Sequence, residues 1–279
     1  MHDTADGLGT FTVRSSDGAH VAYHSTGRGP AVLLLPGALS VAAQYHPFAE
    51  ALARHFTVHT LERRGRGQSS PQGADHSMAT EVADVLALQR KTGASLLVGH
   101  SFGGLIALEA ALASRAITHV AVYEPGVSIG GSIPLGWIPR YEQYLAQGKR
   151  LDAFTEFARG SGPDRARRTP HWLMKRMIPR VVPPAELQIM LDLLTENLRE
   201  HREVARFDGQ HGRYRDVTAR VLLMRGGRSG VRWPNTTLSG LAAVLPAAET
   251  RVFDALDHFG LYRAGAAEVA QAVDRHFRT

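Results

Sequence analysis

The 279-residue sequence contains no cysteine. Disulfide bonds, metal sites built on thiolates and cysteine nucleophiles are therefore excluded. The sequence also has no apolar run that approaches the roughly 18 to 20 residues needed to span a membrane. The first residues, 1–7, are polar and acidic, unlike a secretory signal. We therefore expect a soluble, cytoplasmic protein with no membrane partner.

Acidic residues are in the minority, with 26 Asp and Glu against 32 Lys and Arg, a formal net charge of +6. Such an excess can indicate a nucleic-acid partner or an anionic membrane surface. No run of five or more basic residues exists, however, and the arginines are scattered among acids. We interpret this pattern as a basic but well-mixed surface, and we expect no nucleic-acid partner.

Two kinds of apolar segment predict the strands. Residues 10–14 and 20–24 alternate between apolar and polar side chains on either side of Asp17-Gly18. This pattern is typical of a β-hairpin with one solvent-exposed face. Later runs are continuously apolar, as in strands buried on both faces of a parallel sheet. These later strands are expected over residues 31–35, 56–61, 95–98, 119–122, 217–224 and 250–253.

Helical patterns separate these strands, at residues 41–54, 79–91, 102–114 and 266–277. The alternation of strands and helices predicts a doubly wound α/β sheet. From about 127 to 214 no buried-strand run appears, and the best helix candidates there are 137–147, 151–159, 170–178 and 184–203. We therefore predict a helical cap at residues 127–214, inserted into a core domain of residues 1–126 and 215–279.

The strongest chemical motif is Gly99-His100-Ser101-Phe102-Gly103-Gly104, between the apolar strand 96–98 and the helix 102–114. A Gly-x-Ser-x-Gly in that position predicts a nucleophile elbow, in which the serine projects over the carboxyl ends of the strands. Glycines are required because the turn is strained and the backbones pass close together. The alternative is a tight glycine turn with an incidental serine.

With this motif the sequence resembles the α/β-hydrolase superfamily over nearly its whole length, in the serine-nucleophile branch with a helical cap. The resemblance implies a mostly parallel central sheet flanked by helices. Leu35-Pro36-Gly37-Ala38 is similar to the family's oxyanion segment, although Pro36 replaces the usual histidine. The resemblance therefore implies an oxyanion hole formed by the backbone N–H groups of Ala38 and Phe102. The segment 62–69 is similar to a family loop that serves structure more than chemistry.

The general base is expected to be His258, since it follows the final strand where the family keeps its catalytic histidine. Fourteen histidines are present in the sequence. His100, beside the nucleophile, is interpreted as structural. His55 and His59 have a spacing seen in metal sites, but no third ligand accompanies them, so no metal site is predicted.

The third expected catalytic residue, an acid that orients the general base, departs in its position from the commonest family pattern. That pattern places an aspartate in the loop 225–232, which here contains no acid. In some branches, certain haloalkane dehalogenases and lactonases among them, the acid follows the preceding strand instead. Glu124 follows the strand 119–122, so we predict that Glu124 orients His258. Glu124 as a brace of the cap hinge remains the alternative, and Asp254 and Asp257 are rival acids.

The choice of nucleophile narrows the reaction. Dehalogenases and epoxide hydrolases that resemble this sequence use aspartate where Ser101 stands. We therefore expect a carboxylic-ester hydrolase, of esterase or lactonase type, that acts through an acyl-enzyme and needs no metal or organic cofactor.

The substrate is expected to be small and mainly apolar. The residues predicted to contact it are Leu39, Trp137, Tyr141, Trp172 and Met177. Two other functions stay open: a cofactor-free lyase or cyclase that uses the same triad, and a non-catalytic small-molecule receptor of the same fold. A homodimer also stays open.

Overall fold

The computed structural model describes residues 9–279, and within them one eight-stranded sheet has the order β1-β2-β4-β3-β5-β6-β7-β8. Strand β2 pairs antiparallel with β1 and β4, and all other neighbours are parallel. The strands are β1 (Gly9–Arg14), β2 (His20–Gly27), β3 (Ala31–Leu35), β4 (Thr57–Leu61), β5 (Leu96–His100), β6 (His119–Tyr123), β7 (Arg220–Gly226) and β8 (Ala248–Phe253). The predicted fold class is confirmed.

Helices cover both faces of this sheet because its central strands are apolar on both sides. One face packs against α2 (Met78–Thr92), α3 (Phe102–Ala113) and α10 (Trp233–Val244). The other face packs against α1 (His46–Leu52) and α11 (Ala266–Phe277). Within residues 9–279, no helix is both long and apolar enough to cross a bilayer.

Between β6 and β7 the chain is helical, and these helices have an apolar core of their own. They are α4 (Ile138–Ala146), α5 (Arg150–Ser161), α6 (Asp164–Arg168), α7 (His171–Val181), α8 (Pro184–Asp192) and α9 (Leu194–Arg206), followed by a 3₁₀ helix (Gln210–Asp216). Their core includes Trp137, Tyr141 and Phe154, and Leu39 joins it from the loop after β3. This arrangement supports the proposal that residues 127–214 form a cap.

The helices differ from the sequence prediction at several places. The helix expected at 41–54 is a 3₁₀ turn (Ala42–Tyr45) followed by α1, whose first turn contains a proline. A proline is favoured there because it has no N–H to leave unpaired. The helix expected at 184–203 is divided at Leu193 into α8 and α9. Helix α10 was not predicted, since its sequence WPNTTLSG is poor in helix-favouring residues.

Two glycines let α3 lie directly on the strands. A Cβ atom added to Gly103 would lie 2.2 Å from the carbonyl oxygen of Leu35, and one added to Gly99 would lie 2.4 Å from the carbonyl oxygen of Gly103. Both contacts are with backbone atoms, which cannot rotate away. The turn between β5 and α3 therefore requires glycine at these positions.

Replacing Gly103 with alanine is expected to lower the free energy of unfolding by about 1–3 kcal/mol, because the new methyl group overpacks against β3. Urea denaturation followed by circular dichroism measures this change. Gly73→Ala is the matched control, since a Cβ there would meet no atom within 4 Å. Equal unfolding midpoints for Gly103→Ala and Gly73→Ala would contradict the close packing of α3.

Candidate active site

Ser101 occupies a strained turn between β5 and α3. Its backbone has φ 52° and ψ −119°, which serine rarely adopts. The turn is fixed by hydrogen bonds in which the Ser101 N–H donates to Tyr123 O (3.0 Å) and the Gly126 N–H donates to Ser101 O (2.8 Å). The serine is therefore positioned by β6 and the residues after it as well as by its own strand.

Backbone strain is concentrated at the carboxyl edge of the sheet. Among residues 9–279, the non-glycine residues with positive φ are Leu39 (52°), Ser101 (52°) and Glu124 (43°). They follow β3, β5 and β6, which are neighbours in the sheet. Each such conformation costs on the order of 1–3 kcal/mol and persists only where the surroundings enforce it. The three strained residues therefore lie together at the carboxyl edge of the sheet, where the candidate site is located.

Glu124 contacts the ring of His258. Its Oε2 atom lies 2.7 Å from His258 Nδ1, and its side chain is fully buried. An ionised carboxylate only accepts hydrogen bonds, so Nδ1 carries the proton and Nε2 is left free to take one. The structure thus brings Glu124 and His258 together in the geometry of an orienting acid and a general base.

Two donors hold the other carboxylate oxygen of Glu124. The N–H of Gly226 donates to Oε1 at 2.9 Å, and the hydroxyl of Ser229 also donates to it. Ser229 lies in the loop after β7 that lacks the usual acid, and sequence reasoning missed its role. The sequence signal that could have indicated this role is a hydroxyl residue in a loop that contains no acid.

The rival acids do not reach the ring of His258. Asp254 is exposed at the end of β8. Asp257 is also exposed, and its Oδ1 accepts a hydrogen bond from the N–H of Phe259 at 2.9 Å. Among residues 9–279, neither carboxylate forms a hydrogen bond with the His258 ring, whereas Glu124 does.

Ser101 and His258 line the same cavity, together with Ala38 and Phe102. Within residues 9–279, Ser101 Oγ forms no hydrogen bond with the His258 ring. In hydrolases without substrate this bond is often long or poorly aligned, and it tightens when substrate binds.

The backbone N–H groups of Ala38 and Phe102 donate no hydrogen bond within the described chain. Phe102 is the first residue of α3, where an N–H lacks an intrahelical acceptor. The loop carrying Ala38 touches the serine, since a Cβ on Gly37 would lie 3.2 Å from Ser101 Cβ. Two unpaired donors thus border the cavity that contains Ser101, as an oxyanion hole requires.

The cavity measures about 340 Å³ and is mainly apolar. This volume is at the small end of the range of about 300–1,000 Å³ typical of ligand pockets. Its apolar walls come from both the sheet edge and the helices between β6 and β7, and include Leu39, Ile133, Phe154, Phe157, Met190, Val204, Val231, Trp233 and Phe259.

Of the five residues expected to contact substrate, one lines this cavity. Leu39 lines it. Trp137 and Tyr141 are buried in the core of the cap helices, one layer behind the cavity wall. Trp172 and Met177 lie on the outer surface of α7, with 68% and 43% of their surface exposed. The expectation that these four residues contact substrate is therefore revised, because large apolar side chains in a cap also form its core and surface.

His100 connects the oxyanion loop to the loop of His258. Burial lowers its pKa well below the usual value, and a neutral ring has one donor and one acceptor nitrogen. The hydroxyl of Tyr45 donates to Nδ1 (2.7 Å), and Nε2 donates to the carbonyl oxygen of His258 (2.8 Å). Tyr45 Oη also accepts the N–H of Gly37 at 2.9 Å. His100 is thus structural and positions both loops.

A buried ionic cluster supports the same oxyanion loop from behind. It consists of Arg63, Arg66, Glu81 and Glu200, all with fully buried side chains. Glu200 belongs to α9, and its Oε1 lies 3.0 Å from Arg63 Nη2 and 2.8 Å from Arg66 Nη2. Arg63 also donates to the carbonyl oxygen of Gly37 at 2.9 Å. The cluster therefore ties α9 to the loop that carries Ala38.

A sequence profile of the alpha/beta hydrolase family matches residues 32–272. The match spans most of the chain, and the protein therefore belongs to the alpha/beta hydrolase family. The structure of an alpha/beta hydrolase from Sphaerobacter thermophilus DSM 20745 superposes with a TM-score of 0.81 and 30% sequence identity, covering 96% of this chain and 100% of that chain.

Two more distant solved structures share the fold. The naproxen esterase of Bacillus subtilis has a TM-score of 0.70 at 15% identity, with 97% of this chain and 91% of that chain covered. A meta-cleavage product hydrolase from Pseudomonas fluorescens IP01 has a TM-score of 0.66 at 17% identity, with 98% of each chain covered. An uncharacterised protein of Mycobacterium tuberculosis is 33% identical over 106 residues, a segment that covers 36% of this chain and only 30% of that protein.

Replacing Glu124 with glutamine is expected to lower kcat by about 10³-fold or more, because an amide can hold His258 in the wrong tautomer and does not stabilise the imidazolium. Steady-state hydrolysis of a 4-nitrophenyl ester measures the loss. Asp254→Asn is the matched control and is expected to retain parental activity. The reverse pattern, with loss in Asp254→Asn and none in Glu124→Gln, would overturn the assignment of Glu124.

Stability is expected to fall as the pH drops from about 7 to 5.5. Burial lowers the folded-state pKa of five histidines, His59, His100, His119, His201 and His276, below 6.5. The unfolded chain then binds more protons than the folded one as the pH falls through this range, so protonation of these histidines favours the unfolded state. Urea midpoints across this range provide the measurement, and a flat or rising profile would contradict burial of neutral histidines.

Proposed function

We propose that this protein is a serine hydrolase that cleaves a carboxylic ester or lactone of a small, mainly apolar compound through an acyl-enzyme on Ser101. The observation that carries the proposal is the 2.7 Å contact between Glu124 Oε2 and His258 Nδ1. It leaves His258 Nε2 unprotonated on a ring that borders the same cavity as Ser101.

Acylation begins when Ser101 Oγ attacks the substrate carbonyl carbon and His258 Nε2 accepts the hydroxyl proton. The carbonyl oxygen becomes an oxyanion, and the N–H groups of Ala38 and Phe102 donate to it. Each such preset donor contributes about 3–4 kcal/mol to transition-state stabilisation. Collapse of the tetrahedral intermediate expels the alkoxide, which takes the proton from His258, and Ser101 is left as an ester.

Deacylation repeats these steps with water. His258 Nε2 takes a proton from the water molecule that attacks the acyl carbon, and the same two N–H groups bind the oxyanion. The proton then returns to Ser101 Oγ as the carboxylic acid leaves. Glu124 stays ionised and stabilises the imidazolium in both halves of the cycle.

The cavity supports a small, apolar substrate. About 340 Å³ of space is enclosed mainly by aromatic and aliphatic side chains. Esters and lactones are favoured over amides, because an alcohol is a better leaving group than an amine. The naproxen esterase of Bacillus subtilis, which shares the fold, gives a precedent for esters.

The lyase or cyclase and the receptor alternatives differ from this proposal in what they leave on Ser101. A lyase or cyclase turns over without an acyl-enzyme, and a receptor binds without turnover. A receptor gives no reason for a buried carboxylate held against the histidine beside an elbow serine, whereas a lyase or cyclase would use the same contact and differs in forming no acyl-enzyme.

Rapid mixing with 4-nitrophenyl acetate is expected to release one equivalent of 4-nitrophenolate per protein in a burst, followed by slower steady turnover, because 4-nitrophenolate is a good leaving group and acylation is therefore faster than deacylation. Ser101→Ala is expected to abolish both phases, and Asp254→Asn to preserve them. Unchanged release by Ser101→Ala would refute the proposal.

A further inference from the structure

One polar side chain in the wall of the active-site cavity has no part in the proposed triad. His201 lies on α9 and lines the cavity. Its ring contacts Trp137 and Phe157 edge to face, with centroid distances of 5.1 Å and 5.3 Å. Two aromatic neighbours at such distances fix the plane of the histidine ring.

The hydrogen bonding of His201 also fixes its tautomer. Nδ1 lies 2.9 Å from the backbone carbonyl oxygen of Asn197, one helical turn earlier. A carbonyl oxygen only accepts, so Nδ1 carries a proton. Burial lowers the pKa of His201, so the ring is neutral near pH 7 and Nε2 is a hydrogen-bond acceptor.

The Nε2 atom has no partner among the described residues. The atom is not fully buried, so part of its surface remains accessible. Since the ring lines the cavity, that surface is available to a bound molecule. Ser161, a hydroxyl residue that also lines the cavity, already donates to the carbonyl oxygen of Phe157 at 2.7 Å.

If a bound ligand displaces water from His201 Nε2, leaving this acceptor without a hydrogen-bond donor would weaken binding. The cap residues that share the wall with His201 include Phe154, Phe157, Met190 and Val204, which offer no hydrogen bond. An acceptor that loses its water without gaining a donor weakens binding. A wholly apolar ligand would impose this cost, whereas a ligand with a hydroxyl group at this point would not.

We propose that His201 Nε2 forms a polar subsite that accepts a hydrogen bond from a hydroxyl group of the substrate, remote from the scissile carbonyl. The inference rests on the proposed function and narrows its substrate class to hydroxylated, otherwise apolar esters or lactones. His201 comes from α9, whereas Ser101 comes from the sheet edge, and the cavity wall that both line is mainly apolar.

The position of the subsite is held firmly. Glu200, the residue before His201, is bonded to the buried side chains of Arg63 and Arg66. Asn197, whose carbonyl binds Nδ1, is fully buried and donates through Nδ2 to Tyr141 Oη at 3.2 Å. A rigid acceptor discriminates between substrates better than a mobile one, because less conformational entropy is lost on binding.

The test uses 4-nitrophenyl alkanoates of about six to ten carbons and their ω-hydroxy counterparts. For each length the ratio of kcat/KM, hydroxylated over plain, is measured in the parent, His201→Phe, His201→Gln and His171→Phe. At the length that reaches the subsite, His201→Phe is expected to lower the ratio about three- to tenfold, the effect of one neutral hydrogen bond. His201→Gln, which keeps an acceptor, is expected to restore part of it.

His171→Phe is the matched control, since His171 is bonded to Asp152 and Glu156 and does not border the cavity. Its ratio is expected to equal that of the parent. An equal ratio in the parent and His201→Phe at every chain length would overturn the subsite.

A binding measurement separates this failure from failure of the proposed function. Calorimetric titration of Ser101→Ala and of Ser101→Ala/His201→Phe with the same ester pairs reports the subsite without catalysis. Preference for the hydroxylated ester in Ser101→Ala that is lost in the double variant supports the subsite even if the parent does not turn over. Equal preference in both proteins refutes the subsite, whatever the activity of the parent.

Discussion

The geometry of the candidate active site depends on one contact, the hydrogen bond between the buried carboxylate of Glu124 and the ring of His258. A carboxylate without water is stable only when its oxygens are bonded, and here Gly226 and Ser229 bind the oxygen that His258 does not. This arrangement requires a positive φ at Glu124. The strained backbone is held in place because the Glu124 N–H donates to Met224 O at 2.8 Å. Glu124 at the end of β6 and the loop after β7 therefore position the ring of His258.

The parts of the site on different strands are coupled through buried polar groups. His100 joins the loop of His258 to Tyr45, and Tyr45 in turn accepts the N–H of Gly37. Arg63 binds the carbonyl of Gly37 and the carboxylate of Glu200. Breaking any one of these connections leaves a buried donor or acceptor unpaired, so the oxyanion loop and α9 are held in one arrangement.

The fold was predicted correctly from the sequence, and the predicted residues Ser101, Glu124 and His258 lie near one another in the structure, because the signals for them are local. The apolar runs are long enough to identify parallel strands, and the Gly-x-Ser-x-Gly turn stands between a strand and a helix. Glu124 was predicted because the loop 225–232 contains no acid. Ser229 was missed because it binds Glu124, which lies 105 residues earlier in the chain, and the role proposed for His201 depends on the shape of a cavity. Trp172 was misplaced for a related reason, as apolar periodicity does not reveal which face of α7 is covered.

The central claim is that Glu124 and His258 activate Ser101, and intact-mass analysis after exposure to a small fluorophosphonate tests it most directly. Such a probe needs no knowledge of the substrate, because it reacts with an activated serine. One adduct on the parent protein, located at Ser101 and absent from Ser101→Ala and His258→Ala, is the predicted result. An unmodified parent protein, or an adduct that persists in His258→Ala at the parental rate, would contradict the account.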